Sequence, residues 1–324
     1  MLSRVADSLY WMSRYPERAE HTARVVDVYL NRALDLPDGS DSRRWNILLE
    51  CLNAQPLTQS QAGVHHEVRP LIFDSTNQSS LAFCIEHARE NARQVREQIS
   101  SEMWEQLNQL FLYIMTTSRD DGWQAEPHRF FKTVKEGSHL FQGIADSTMN
   151  HAEGWDFIQV GRFLERACAV AKLLDSHYRA LSTAADKSES LFDHVDWIYL
   201  LKSCTAFEPF CKVYTCDVDP RSITEFLLLS SEFPHSVRFS IEMVQSELMA
   251  IAESAKARGP GRATRLAGWL LATLSYGQIE EVMADGINLY LSDVLRRCSD
   301  IHSAFYETYI AYPIDSTRLR LVGN

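Results

Sequence analysis

Apolar residues recur every three to four positions along most of the chain, the spacing that places them on one face of an α-helix. One such face near the start of the chain is repeated by a second, much later one. The first consists of Val5, Met12, Tyr15, Ala19, Val26 and Leu30, and the second of Val160, Phe163, Ala167, Ala171, Leu174 and Tyr178. Gly (13) and Pro (10) are scarce and concentrate in a few stretches. The pattern predicts an all-α protein.

Stretches rich in Gly, Pro, Ser and Asp indicate where the helices end. The clearest are residues 35–41, 118–127 and 259–261, and weaker ones are 182–190 and 217–220. Pro16 lies inside the first helical pattern, and proline lacks a backbone N–H and crowds the preceding turn. We therefore expect the first helix to be kinked at Pro16 or to begin its regular part there.

Charged residues of the first helical pattern return in the second with unchanged spacing, while the apolar residues between them vary within their class. In order, Arg14, Glu17, Arg18 and Asp27 correspond to Arg162, Glu165, Arg166 and Asp175. Weaker matches pair Trp45 with Trp197, and Ser80, Glu90, Val95 and Arg96 with Ser222, Glu232, Val237 and Arg238. We interpret the chain, residues 1–324, as a single multi-helix body built from two pseudo-repeated helical units, about 1–146 and 147–313.

The arginines of the repeated segment lie at the margin of its apolar face. Arg18 falls among Trp11 and Tyr15 on the helical wheel, and Arg166 falls in the same position of the second copy, whereas Glu17 lies outside the face. A buried guanidinium without an anion is costly. Each arginine should therefore meet a carboxylate from another helix or a bound anionic ligand.

The overall charge restricts the class of partner. Lys and Arg number 32 against 43 Asp and Glu, which gives a net charge of −11. Such a balance argues against a nucleic-acid or anionic-membrane surface. No stretch is long and apolar enough to span a bilayer. We expect a soluble cytoplasmic protein whose partners are proteins or small molecules.

Cysteine and histidine patterns indicate no metal site and no cofactor. The seven cysteines are scattered without a Cys-x-x-Cys pair, which is typical of free thiols in a reducing compartment. Glu136 and His139 have the spacing of one half of a di-iron site, but a second half is missing. No nucleophile motif is present either.

A densely charged helix is predicted after Ser80, which has the character of an N-cap. Its outer face carries Arg89, Glu90 and Arg93. Their spacing of three and four residues suits a solvated charge face. Arginine is also the better residue for bidentate binding of carboxylate or phosphate, so an anion-binding surface is the alternative.

Several separated motifs, in this order, resemble the bacterial alpha-E family, which is named for its helical fold and Glu-Arg motif. They are residues 14–20 around Glu17 and Arg18, residues 88–93 around Arg89 and Glu90, residues 104–108 around Trp104, and residues 146–167 from Asp146 through Gly154, Trp155 and Gly161 to Ala167. The resemblance covers nearly the whole chain. It implies the same helical fold.

The resemblance also implies a context for the function. The family's genomic neighbours are circularly permuted ATP-grasp ligases, transglutaminase-like peptidases and sometimes a proteasome-like peptidase, and some members are fused to the ATP-grasp module. With the repeat, it yields these candidate ligand-binding residues: Arg14, Glu17, Arg18, Arg89, Glu90, Arg93, Arg162, Glu165 and Arg166. Cys168 and Ala169 stand where the first copy has Glu20 and His21, so we expect a site that differs between the halves.

Three hypotheses follow. The first is a non-catalytic subunit that docks on an ATP-grasp ligase, with a transglutaminase-like peptidase as a further partner, and holds an anionic peptide or acyl-phosphate product. The second is an enzyme with Glu17 or Glu165 as general base. The third is a structural scaffold in which the Glu-Arg pairs tie helices together, and a homo-oligomer is compatible with all three.

Overall fold

Helices form all the regular structure of the residues that the computed structural model describes, namely 1–34, 42–54, 64–119, 121–182, 192–215, 217–255, 259 and 261–311. The α-helices are α1 (Ser3–Leu34), α2 (Ser42–Cys51), α3 (Val64–Phe73), α4 (Leu81–Gln94), α5 (Ser101–Thr117), α6 (Pro127–Thr148), α7 (Glu153–Ser182), α8 (Phe192–Ser203), α9 (Phe207–Tyr214), α10 (Pro220–Leu229), α11 (Val237–Ser254), α12 (Arg262–Tyr276), α13 (Ile279–Ala284) and α14 (Ile287–Tyr309). The all-α prediction is confirmed.

The two long helices α1 and α7 run side by side in the same direction. The amino group of Met1 lies 3.0 Å from a carboxylate oxygen of Glu153, and further along Arg166 contacts Glu17. The helices approach most closely at Gly161, where a Cβ atom would lie 2.4 Å from the carbonyl oxygen of Tyr10. Only glycine lacks that atom. The approach brings the charged residues of both helices within direct contact of one another.

Other helices cover α1 and α7 from the outside. Helix α1 packs against α4 and α6, while α7 packs against α11 and α14. The buried apolar side chains form one contiguous cluster that reaches from Ala6 to Phe305. Glu17, which the helical wheel places outside the apolar face, is only 3% exposed because α1 is covered on several sides. The proposed boundaries of the two units, and the duplication itself, stay predictions.

Serine caps fix the start of α4 and α11 in the same way. Ser80 accepts a hydrogen bond from the backbone N–H of Phe83 at 3.1 Å, as predicted for an N-cap, and Ser236 accepts one from Phe239 at 3.0 Å. Ser222, which the predicted repeat pairs with Ser80, lies inside α10, whose N-cap is Asp219. The two matched serines therefore have different positions in their helices.

The predicted breaks are confirmed where the structure describes them. Helix α5 ends at Thr117 and α6 begins at Pro127, with one turn of 3-10 helix between them, and α10 begins at Pro220. Helix α7 ends at Ser182, and the breaks at 35–41 and most of 182–190 lie outside the described residues. Helix α1 continues through Pro16 without interruption, so the expected start at Pro16 is wrong.

Candidate functional site

The first charged cluster joins two arginines of α1 to one glutamate of α7. Arg14 donates from Nε to Glu165 at 2.7 Å, and Arg18 donates from Nε and Nη2 to the same carboxylate at 2.6 and 3.1 Å. Arg14 and Arg18 are four residues apart and so lie on one face of α1. We call these three residues the Glu165 cluster.

Two cations share one anion in the Glu165 cluster. Burial opposes ionisation of the carboxyl group, but Arg18 and Arg14 outweigh it and lower the pKa of Glu165 to about 2. Burial also disfavours charged Arg14, yet Tyr10 and Glu165 raise its pKa. All three side chains are therefore charged at neutral pH, and the cluster carries one net positive charge.

The second cluster reverses the roles of the helices. Arg166 of α7 donates from Nε and Nη2 to Glu17 of α1 at 2.6 and 3.0 Å. Gln142 of α6 donates to the same carboxylate at 2.8 Å, and Arg162 Nε lies 3.8 Å from it. Burial opposes ionisation, but Arg166 lowers the pKa of Glu17. Glu17, Arg162 and Arg166 form the Glu17 cluster.

The two clusters are reciprocal, because each helix supplies a glutamate to the other's arginine. Each arginine also donates to a backbone carbonyl just before a capped helix, Arg18 to Gln78 and Arg166 to Pro234, both at 3.2 Å. The expectation of partly buried arginines that meet a carboxylate from another helix is confirmed for Arg18 and Arg166. Sequence reasoning left open which glutamate each one meets, and the parallel packing of α1 and α7 decides it.

One turn further along, the helices differ. On α1, the carboxylate of Glu20 is 3% exposed, pairs with Arg24 and lies 3.4 Å from His139. The corresponding residues of α7 are Cys168 and Lys172. Lys172 is partly buried and forms no ion pair with any residue in the described ranges. Cys168 thus stands at the position of α7 that corresponds to Glu20 in the predicted repeat, and it supplies no carboxylate to Lys172.

A cavity of about 1040 Å³ opens on the Glu165 cluster. Its wall includes Arg14, Arg18, Glu165, Cys168 and Lys172, with further residues at 51–54, 70–71 and 76–79. Neither Glu17 nor Arg166 belongs to this wall. Of the two clusters in the described residues, the Glu165 cluster is therefore the one that faces this cavity.

A histidine and a cysteine add to the cavity wall. His21 Nε2 has no hydrogen-bond partner among the described residues, and burial lowers the pKa of this imidazole, which keeps it neutral. A hydrogen bond with Cys298 lowers the pKa of Cys168. Sequence reasoning missed His21 and Lys172 as candidates. The sequence comparison noted Cys168 in the place of Glu20. The same comparison one helical turn further would have shown that Lys172, unlike Arg24, has no glutamate four residues before it.

The predicted residues of α4 lie elsewhere. Arg93 pairs with Glu90 at 2.7 Å on the surface, with side chains 61% and 43% exposed. Arg89 donates to Asn108 at 2.7 Å and stacks on Phe111. The structure does not bring them to the Glu165 cavity, and Arg93 and Glu90 border a separate cavity of about 780 Å³ with the start of α1. Their arrangement is that of a solvated charge face.

Metal and membrane chemistry find no support within the ranges described above. No group of three or more His, Cys, Asp or Glu side chains there could hold a metal ion. No helix there is long and apolar enough to cross a membrane. His139, whose spacing from Glu136 suggested a metal ligand, lies beside the Glu20 carboxylate.

Comparison with known proteins places the chain in a family. Residues 1–310 match Alpha-E, described as a predicted alpha-helical domain with a conserved ER motif. Uncharacterized proteins of Mycobacterium bovis and Mycobacterium tuberculosis are 24% identical over 340 residues, which cover 99% of this chain. The chain spans 37% of the length of these relatives. No solved structure matches it. The family match covers nearly the whole chain, and the Glu-Arg dipeptide occurs at the centre of both clusters. The chain therefore belongs to the Alpha-E family.

Proposed function

We propose that this protein is a non-catalytic subunit of an ATP-grasp-dependent peptide or amide ligation system and that the Glu165 cavity holds an anionic peptide substrate or acyl-phosphate product. One observation carries the proposal. The Glu165 cluster has an excess of positive charge and opens on a cavity of about 1040 Å³, in a protein whose net charge is −11.

The chemistry of the cavity suits an anionic group on a polar chain. Arg18 is the more exposed of the two arginines, with 21% of its side chain accessible. Lys172 adds a third cation, and it forms no ion pair with any residue in the described ranges. Cations in a partly desolvated pocket bind anions more strongly than the same groups do in water. Backbone and amide groups at 76–79 supply further polar contacts for a peptide.

The ATP-grasp partner enters through the family resemblance. ATP-grasp chemistry activates a carboxylate as an acyl phosphate before an amine displaces the phosphate, so both the carboxylate substrate and the activated acyl phosphate are anions of the kind this cavity suits. The mycobacterial relatives carry the matching region within a much longer polypeptide, of which it forms 37%. A domain that works beside another module agrees with that arrangement.

The geometry disfavours a general base at either glutamate. Both oxygens of Glu165 accept hydrogen bonds from guanidinium groups, and Arg18 and Arg14 overcome burial to lower its pKa to about 2. An efficient base has a pKa near the working pH. Glu17 is bound in the same way by Arg166 and also by Gln142. The general-base hypothesis therefore has less support than the binding role.

A structural role is favoured for one cluster. Glu17 and Arg166 are buried, the Glu17 carboxylate accepts hydrogen bonds from Arg166 and Gln142, and neither residue belongs to the cavity wall. Arg162 lies 3.8 Å from Glu17, and its Nε has no hydrogen-bond partner among the described residues. The Glu17 cluster ties α1 to α7 and α6. We assign the scaffold role to this cluster and the ligand role to the Glu165 cluster.

Light scattering on a sizing column tests the partnership. The protein is run alone, with the ATP-grasp protein encoded nearest to it, and with the transglutaminase-like peptidase. We expect a stable mixed complex with the ATP-grasp protein. Separate elution at micromolar concentrations would overturn the proposed partnership, and the run of the protein alone gives its oligomeric state.

Ligation by the reconstituted pair tests the cavity. Arg18→Ala should weaken ATP-dependent product formation, because it removes the more exposed cation of the Glu165 cluster. The matched control is Arg93→Ala, which removes a surface arginine outside this cavity. Equal ligation by both variants and the wild type would contradict the binding role.

A further inference from the structure

We infer that the ligand presents a carboxylate to Lys172 and that this carboxylate occupies, in the Glu165 cavity, the place that the Glu20 carboxylate takes beside the Glu17 cluster. The inference rests on the proposed function of the cavity as a ligand site, and it names the chemical group and its position. Three steps lead to it.

The first step is the correspondence of positions. Glu20 and Arg24 are four residues apart on α1 and form an ion pair, and Cys168 and Lys172 have the same spacing on α7. The flanking helices correspond too, since α6 places His139 beside Glu20 and α14 places Ser299 in the cavity wall. The second position thus retains the cation and a polar neighbour but lacks the carboxylate.

The second step is the charge. Together with the next turn of α1, the Glu17 cluster has two carboxylates, Glu17 and Glu20, for three cations, Arg24, Arg162 and Arg166. Together with the next turn of α7, the Glu165 cluster has one carboxylate, Glu165, for three cations, Arg14, Arg18 and Lys172. Asp74, in the loop after α3, also lines the cavity, and hydrogen bonds from the hydroxyl and N–H of Thr76 lower its pKa and keep it charged. The count is therefore confined to the residues of α1 and α7. A single negative charge from outside would make the two clusters equal.

The third step is the space. The Cys168 side chain is shorter than glutamate and lines the cavity. It therefore leaves the end of the vacant glutamate position to the cavity, which at about 1040 Å³ is at the upper end of the usual size for ligand pockets. This volume accommodates several residues of a peptide behind the carboxylate. The missing unit of charge favours a carboxylate over a phosphate dianion.

The test places the missing carboxylate on the protein itself. Cys168→Glu supplies a built-in occupant, and Cys168→Gln is the uncharged control of the same shape. Thermal unfolding is measured with four probes: N-acetyl-trialanine with a free carboxyl end, N-acetyl-Ala-Glu-Ala-amide with a side-chain carboxylate, N-acetyl-trialanine-amide with none, and inorganic phosphate. Ligands that bind only the folded state raise the melting temperature.

We expect at least one carboxylate peptide to stabilise the wild type, with no effect of the amide. Its apparent affinity should be at least about tenfold weaker for Cys168→Glu than for Cys168→Gln. Whichever peptide responds identifies a terminal or a side-chain carboxylate as the source. Equal responses of the two variants, a response to phosphate alone, or no response to either carboxylate peptide would overturn the inference.

A second measurement tests the same charge without any added peptide or phosphate. Without ligand, Cys168→Glu should melt at a higher temperature than Cys168→Gln, and the difference should disappear when Lys172 is also changed to Ala. A difference that persists without Lys172 would overturn the inference. Co-elution with the ATP-grasp protein is scored separately, so that loss of the partnership and loss of the carboxylate site are distinguishable results.

Discussion

The Glu17 and Glu165 clusters use the same residue types on the same two helices, yet they have different surroundings. Glu17 accepts hydrogen bonds from Arg166 and from Gln142 of α6, and neither Glu17 nor Arg166 lines the cavity. Glu165 is held by Arg14 and Arg18, and all three line a large cavity. The comparison teaches that a Glu-Arg pair between helices does not by itself mark a ligand site. The residues around the pair decide whether it is also a site.

The difference has a local origin one helical turn away. Glu20 pairs with Arg24 beside the Glu17 cluster, whereas the corresponding position of α7 is Cys168 and Lys172 lines the cavity. A buried charge must be paired or neutralised. Glu20 and Arg24 pair with each other, whereas Lys172 is left to interact with solvent or a ligand in the cavity. Four measurements can break or sharpen this contrast.

The largest effect is expected at Arg166. Arg166→Ala leaves the carboxylate of Glu17 buried, with Gln142 as its remaining close donor. Removing one partner of a buried pair costs about 3–5 kcal/mol. Urea unfolding should show this loss, while the exposed control Arg129→Ala should leave the midpoint unchanged. A loss below about 1 kcal/mol would show that the Glu17 cluster is not a structural tie.

Glu165→Gln should remove a pH-dependent part of the stability. The pKa of Glu165 is about 2 in the folded protein, below the ordinary value of 4.5, because Arg18 and Arg14 outweigh the opposing effect of burial. Since the folded pKa is the lower one, ionised Glu165 stabilises the fold above pH 4.5, and this contribution is lost as the pH falls towards 2. It amounts to about 3 kcal/mol.

Urea unfolding of the wild type and Glu165→Gln over this pH range measures that contribution. The wild type should be the more stable protein at neutral pH, and the two curves should converge near the folded pKa. Other carboxyl groups titrate in both proteins, so the difference between the curves isolates Glu165. Parallel curves would contradict the charged state assigned to this cluster.

The matched pair Arg24→Ala and Lys172→Ala compares the two positions one turn along. Arg24→Ala deprives the buried Glu20 of its main partner and should cost about 2 kcal/mol. Lys172→Ala removes a cation that has no ion pair within the described ranges, so its cost should be about 0.5 kcal/mol or less. Denaturant midpoints of both variants measure the difference, and equal costs would mean that the positions are equivalent.

The smallest effect is expected on α4. Arg93→Ala breaks an exposed pair with Glu90, which water already screens. Neither the urea midpoint nor ligation with the ATP-grasp protein should change. A fall in ligation would favour the alternative that α4 binds the anion, at the smaller cavity that Arg93 and Glu90 form with the start of α1.

Part of the site was predictable from the repeat. Fixed spacing of the charged residues, and the position of Arg18 and Arg166 at the margin of an apolar face, indicated buried arginines that need carboxylates. The N-cap at Ser80 was predictable because capping depends on a local pattern. Ser236 could not be identified from the sequence as the N-cap of α11, because this depends on loop lengths and on which of several serines begins a helix.

The sequence by itself determined the helical class, most of the helix ends and the need for anions at Arg18 and Arg166, because these follow from periodicity, turn chemistry and the cost of burying charge. Only the tertiary structure decided which glutamate meets which arginine. Because α1 and α7 approach closely at Gly161, Arg18 of α1 pairs with Glu165 of α7, and Arg166 of α7 pairs with Glu17 of α1. The tertiary structure also decided which cluster faces a cavity, since that depends on how α2, α3 and α14 pack around one side of the pair, and no local pattern encodes such packing.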